Sequence, residues 1–109
     1  MTSERGGRFT LRYALGTIAD FAAIERRHHG LIRRTLEERL SLEPESETRN
    51  RKRLARPTRL GATWELRFGP NNRFRALYSV DVEAYEVSIL AIGIKRGNRL
   101  LAGGREVEL

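Results

Sequence analysis

Arg67 and Arg75 lie in two short segments of alternating character, WELRF and FRALY, on either side of a Gly-Pro-Asn-Asn turn. Successive side chains of an extended chain point to opposite faces. Trp64, Leu66 and Phe68 therefore share one face of the first segment, and Glu65 and Arg67 take the other. In the second segment Phe74, Ala76, Tyr78 and Val80 share one parity, and Arg73 and Arg75 the opposite one. A hairpin over residues 62–68 and 73–80 builds a core with one face and holds guanidinium groups in a fixed array on the other. Such an array does electrostatic chemistry. It is suited to holding phosphate.

Other residues extend or compete with this reading. Glu65 lies beside both arginines, where a carboxylate stays ionised and either acts as a base or forms a salt bridge across the hairpin. The basic run NRKRLAR at residues 50–56 includes Lys52 and Arg53 and reads as a nucleic-acid or ribosome contact. Contacts of that kind give affinity and salt dependence without sequence choice. Arg73, Arg96 and Arg99 are further candidates for nucleic-acid backbone contact. His28 and His29 stand far in sequence from the arginines and beside Gly30, which favours capping or packing over catalysis. No cofactor is implied, and no metal site is expected, because no third His exists and no carboxylate stands at ligand spacing. Gly103-Gly104 lacks the Lys-Ser/Thr that a phosphate loop requires, so these are turn glycines.

The formal net charge is +7 and the sequence pI about 10.9, which points to phosphate-rich or acidic partners. Lys52 and Lys95 are the only lysines among 21 basic residues. A coding bias toward Arg could explain that choice, but not the excess of positive charge. Without cysteine the chain has no disulfides or thiolate chemistry. No apolar run is long enough for a membrane span, and the first residues have no apolar signal core. A cytoplasmic protein of one domain, residues 1–109, is expected.

The elements that must position the hairpin follow from periodicity. Residues 8–14 alternate as a strand, with Phe9, Leu11 and Tyr13 on one side. Thr17, three residues before Asp20, resembles a capping box, and Ile18, Phe21, Ala22 and Glu25 continue as a helix. Gly30 interrupts the pattern. A second helix runs through Ile32, Leu36 and Leu40 and is stopped by Pro44. An acidic loop at 43–48 and a basic connector at 49–59 lead to the hairpin. Residues 85–95, YEVSILAIGIK, are apolar at nearly every position, as expected of a strand buried on both faces in mid-sheet. A short edge strand is expected in the Gly-rich tail. The order gives an α+β domain, a four-stranded, antiparallel-rich sheet with an N-terminal helical hairpin packed on one face.

An N-x-K-x-L element (Asn50, Lys52, Leu54) precedes a W-x-L-R strand (Trp64, Leu66, Arg67). An F-R-x-L-Y strand (Phe74, Arg75, Leu77, Tyr78) follows, then a strand ending I-G-x-K (Ile92, Gly93, Lys95). In this order and spacing the chain resembles the RelE/ParE superfamily of bacterial toxin–antitoxin toxins, from Phe9 to about Lys95. The resemblance implies a RelE-like, microbial-RNase-like fold and a cognate acidic antitoxin. RelE-like members cleave messenger RNA on the ribosome without metal; ParE-like members target DNA gyrase. A third possibility is a non-toxic nucleic-acid-binding relative. Arg67 and Arg75 match basic positions of the RelE-like nucleases, and Lys95 matches a further one, as phosphate clamp or proton donor. Two departures stand out. Glu65 occupies a position that is often basic, and residues 96–101 (RGNRLL) lack the aromatic that some members carry after this strand.

Overall fold

A computed structural model describes residues 8–107. Strand β1 (Thr10–Tyr13) leads into helix α1 (Gly16–Ala22), a 3-10 turn at Arg26–His28 and helix α2 (His29–Leu40). The remaining strands are β2 (Arg51–Arg53), β3 (Trp64–Phe68), β4 (Phe74–Asp81), β5 (Glu86–Arg96), β6 (Arg99–Ala102) and β7 (Arg105–Val107). Among the described residues the sheet has seven strands rather than four, in the order β2-β3-β4-β5-β6-β7, with β1 pairing β5 in parallel. The additional strands are three or four residues long and mostly polar, so they carry almost no alternation of their own. They form because a neighbouring strand offers its unpaired backbone groups.

Side-chain parity divides the sheet as expected. Ile32, Leu36 and Leu40 of α2 pack with Phe21 and Ile24 onto Trp64, Leu66, Phe74, Ala76, Tyr78, Val87, Ile89 and Ile92. The opposite face carries a smaller apolar cluster of Ala62, Leu77, Ala91 and Leu100 beside the charged residues of the hairpin. β5 is buried on both faces and lies inside the sheet. Opposite β4 its register passes from Leu77↔Ala91 to Tyr78↔Ile89, and the extra residue, Leu90, reverses the parity of the strand. That bulge lets Ile89 and Ile92 share the helix-covered face.

Helix ends differ from the expectation. Thr17 is not a cap: its hydroxyl donates to the Ala14 carbonyl at 2.6 Å from inside the first turn. Gly30 lies within α2 rather than before it. α2 ends at Leu40, ahead of Pro44, and Arg51 closes that end. Its guanidinium donates to the carbonyls of Arg39 (2.8 Å), Glu43 (2.8 Å) and Ser46 (3.0 Å). Arg51 therefore leaves the basic run at 50–56 as a structural residue. Tyr78, fully buried, donates to the Pro44 carbonyl at 2.7 Å and pins the same loop.

Asp20 solves a problem set by the topology. One edge of β5 is shared by β1, paired as far as Ile89, and β6, which begins opposite Ile94. The Ile92 N–H falls in the gap and donates to the Asp20 carboxylate at 2.9 Å. Burial raises the pKa of this carboxyl; the Ile92 hydrogen bond and the nearby Arg105 oppose the rise. A raised folded-state pKa means that the group's stabilising contribution is fully present below the unfolded value. It is lost as pH rises through the folded value. Asp20→Asn keeps an acceptor for Ile92 and removes this titration. The stability of wild type relative to Asp20→Asn, measured by urea unfolding, should fall as pH rises through that window and then level off. A difference independent of pH would contradict the assignment.

Candidate nucleic-acid interface

On the face of the sheet away from the helices, β3 and β4 place Arg67 directly opposite Arg75. Like charges facing each other across a strand pair repel. Glu65, two residues before Arg67 on the same face, separates them. Its side chain is only 2 % exposed, and each of its oxygens faces one guanidinium. Arg75 Nη1 donates to Oε2 at 3.3 Å. Arg67 Nε stands 3.5 Å from Oε1, an ion pair rather than a hydrogen bond. Of the two uses considered for Glu65, the salt bridge is the one that the geometry forms.

The hairpin turn fixes Arg75 further. Asn71 and Asn72 take left-handed backbone conformations (φ 55° and 51°), which Asn tolerates better than most residues. The Asn72 carbonyl accepts from Arg75 Nε at 3.1 Å. Asn72 Nδ2 donates to Asn50 Oδ1 at 3.4 Å, and the Asn50 carbonyl accepts the Arg67 N–H at 2.8 Å. Neither asparagine was singled out as a site residue from the sequence. The Gly-Pro-Asn-Asn turn was the available signal for Asn72, and Asn50 stands only as the first position of its motif.

These residues line a cleft of about 1160 Å³. Glu65, Arg67, Arg75, Lys95, Lys52 and Arg53 all contribute to it, although β2 and β5 supply three of them besides the hairpin pair β3 and β4. Lys52 stands opposite Glu65 across β2 and β3, which brings its side chain to the arginine face. Arg53, one residue on, alternates toward Trp64, with its guanidinium 5.6 Å from that ring. Lys95 shares a parity with Gly93, the residue paired with Arg75. Arg73, Arg96 and Arg99 do not line this cleft. Arg73 lies against the Phe74 ring at 5.6 Å, Arg96 borders a separate small hollow, and Arg99 pairs with Glu106 at 3.3 Å.

Gly93 is needed where β6 closes on β5. A Cβ there would lie 2.6 Å from the Leu101 carbonyl oxygen and 3.0 Å from a Leu100 methyl. Gly93→Ala is expected to cost about 1–3 kcal/mol by forcing the strands apart. Urea unfolding measures it; an unchanged midpoint would show that β6 yields freely.

The histidines pack, as their sequence position suggested. His29 Nε2 lies 2.9 Å from the Ile24 carbonyl, and the His28 ring lies 5.3 Å from that of Phe74. Among the described residues no group of three His, Cys, Asp or Glu could hold a metal ion. Nor is any helix among them long and apolar enough to cross a membrane.

The fold and this cleft define a small α+β domain with a basic, partly neutralised sheet face. The chain is similar to a chain of the RelBE2 toxin–antitoxin complex from Mycobacterium tuberculosis, with 27% identity and a TM-score of 0.66. That similarity covers 81% of this chain and 92% of the other. No family model and no curated protein sequence matches. This likeness supports the resemblance to RelE-type toxins read from the sequence.

Proposed function

We propose that the chain is the toxin of a type II toxin–antitoxin pair, a single domain that acts in the cytoplasm as a ribosome-dependent, metal-independent messenger-RNA endonuclease. The observation that carries this reading is the Arg67–Glu65–Arg75 arrangement, two guanidiniums fixed opposite each other over an open cleft. A scissile phosphate seated there meets the N–H groups that Glu65 and Asn72 leave unused. As the 2′-hydroxyl gives its proton to solvent water, its oxygen bonds to phosphorus and the bond to the 5′-oxygen breaks to leave a 2′,3′-cyclic phosphate, the growing equatorial charge faces both arginines. Lys95 clamps the phosphate or returns a proton to the departing 5′-oxygen. Glu65 orients the arginines. Lys52 and Arg53 contact the RNA backbone nearest the cleft, with Arg73, Arg96 and Arg99 beyond it.

The partner that restrains such a toxin is a cognate acidic antitoxin; the similar M. tuberculosis chain comes from a toxin–antitoxin complex. A second reading, a ParE-like inhibitor of DNA gyrase, is favoured by one feature. The turn between β5 and β6 carries no aromatic residue for stacking on RNA. Mapping RNA 5′ ends after induced expression separates the two. New ends within translated messages are expected. Intact messages with DNA-damage signalling would transfer the protein to the gyrase class. Harmless expression without an antitoxin would leave a nucleic-acid-binding relative.

A further inference from the structure

The two most exposed large apolar side chains among the described residues stand together at α1. Leu15, just before the helix, is 84% exposed and Ile18 is 68% exposed. Ala19 and Ala22, also exposed, complete the spacing i, i+3, i+4, i+7 that marks one face of a helix. That face carries no charge. The one charged residue of α1, Asp20, is buried, although 32% of the chain is charged. A helix turned to water has a polar outer face; one that is apolar on both sides is normally covered. None of these four residues lines the arginine cleft.

Shape and charge identify the cover. The stripe is graded, large at its N-terminal end (Leu15, Ile18) and small at its C-terminal end (Ala19, Ala22). Two such helices packed antiparallel set Leu15 against Ala22 and Ile18 against Ala19, and the same contacts repeat about the axis. A two-fold interface requires that self-complementarity. Arg33 flanks the large end, where it lines a hollow of about 260 Å³ with Leu15, Ile18, Tyr13 and Phe21. Its guanidinium lies 4.4 Å from the centre of the Phe21 ring, and it has no ion-pair partner among the described residues. Glu25 lies beyond the small end, is exposed, and makes its ion pairs with Arg27 and His28 through Oε1 alone. The antiparallel contact brings Arg33 of each copy toward Glu25 of the other.

We infer that α1 is the contact surface for a second copy of this chain, paired antiparallel about a two-fold axis with both arginine clefts left open. This pairing is independent of the function proposed for those clefts.

Sedimentation of the whole protein over a range of concentrations tests the pairing, and a reversible monomer–dimer equilibrium is expected. A substitution in a two-fold interface acts twice, so Leu15→Ser should raise the dissociation constant by about 100-fold. Leu15 is exposed in the single chain, so the thermal midpoint of the dilute monomer should not fall. Arg33→Glu and Glu25→Arg should each weaken the dimer, and the double variant should recover it, because the exchanged charges meet again across the axis. Wild type that stays monomeric at about 1 mM would overturn the inference. So would a dimer that Leu15→Ser leaves unchanged, or a double variant no tighter than either single one. Wild-type monomer that binds phosphatidylglycerol vesicles, with binding lost in Leu15→Ser, would give the face to a lipid surface instead. A dimer that behaves as described but cleaves no RNA would keep the pairing and overturn the nuclease reading alone.

Discussion

Arg67→Ala should lower the rate of RNA cleavage by about 10²–10³-fold while the protein keeps its fold. Its side chain is 36% exposed, and its ion pair with Glu65 is long. Removing it leaves Glu65 paired with Arg75 and relieves the repulsion between the facing guanidiniums, so stability should change by less than about 1 kcal/mol. The cost to catalysis is far larger. A guanidinium fixed beside the phosphorane loses nothing to reorganisation during the reaction, whereas water that replaces it must reorient. Cleavage of a messenger by programmed ribosomes under single-turnover conditions measures the first effect, and thermal unfolding the second. A variant that cleaves at the wild-type rate would remove Arg67 from the site.

Arg75→Ala should behave differently, and the reason is burial. Arg75 and Glu65 are both nearly inaccessible to water. Deleting the arginine leaves a carboxylate in the sheet with only the long Arg67 contact, at an expected cost of about 3–5 kcal/mol. For a small domain that is a large share of the total stability. Loss of toxicity in Arg75→Ala alone would therefore confuse chemistry with folding. Adding Glu65→Gln removes the stranded charge and should restore much of the stability without restoring cleavage. Urea unfolding of the single and double variants tests this. An Arg75→Ala variant as stable as wild type, or a double variant no more stable than the single, would show that the pair is not coupled.

Much of this architecture was legible in the chain. The alternation in WELRF and FRALY assigned Arg67, Arg75 and Glu65 to one face and Trp64, Leu66, Phe74 and Tyr78 to the other. The apolar run in β5 marked the interior strand. The motifs from Asn50 to Lys95 pointed to the family. Of the short strands, β2 was not legible and the tail was read as one edge strand where it forms two, β6 and β7, because three or four residues carry too few side chains to show a period. Nor could Thr17 and Asp20 be told from a capping box, since the group Asp20 serves lies 72 residues away.

The sequence by itself determined which side chains share a face, because alternation in a strand is a local property of the backbone. It also determined the sign of the charge that face would carry. Tertiary structure decided which of the basic residues are available. Arg51, Lys52 and Arg53 are neighbours in a uniform basic run. Pairing β2 against β3 sends Arg51 under the helix end, Lys52 to the arginine face and Arg53 toward Trp64. Burial, likewise, made Arg75 a structural partner of Glu65. These outcomes depend on which strand lies alongside, a contact between segments distant in the chain that no local pattern encodes.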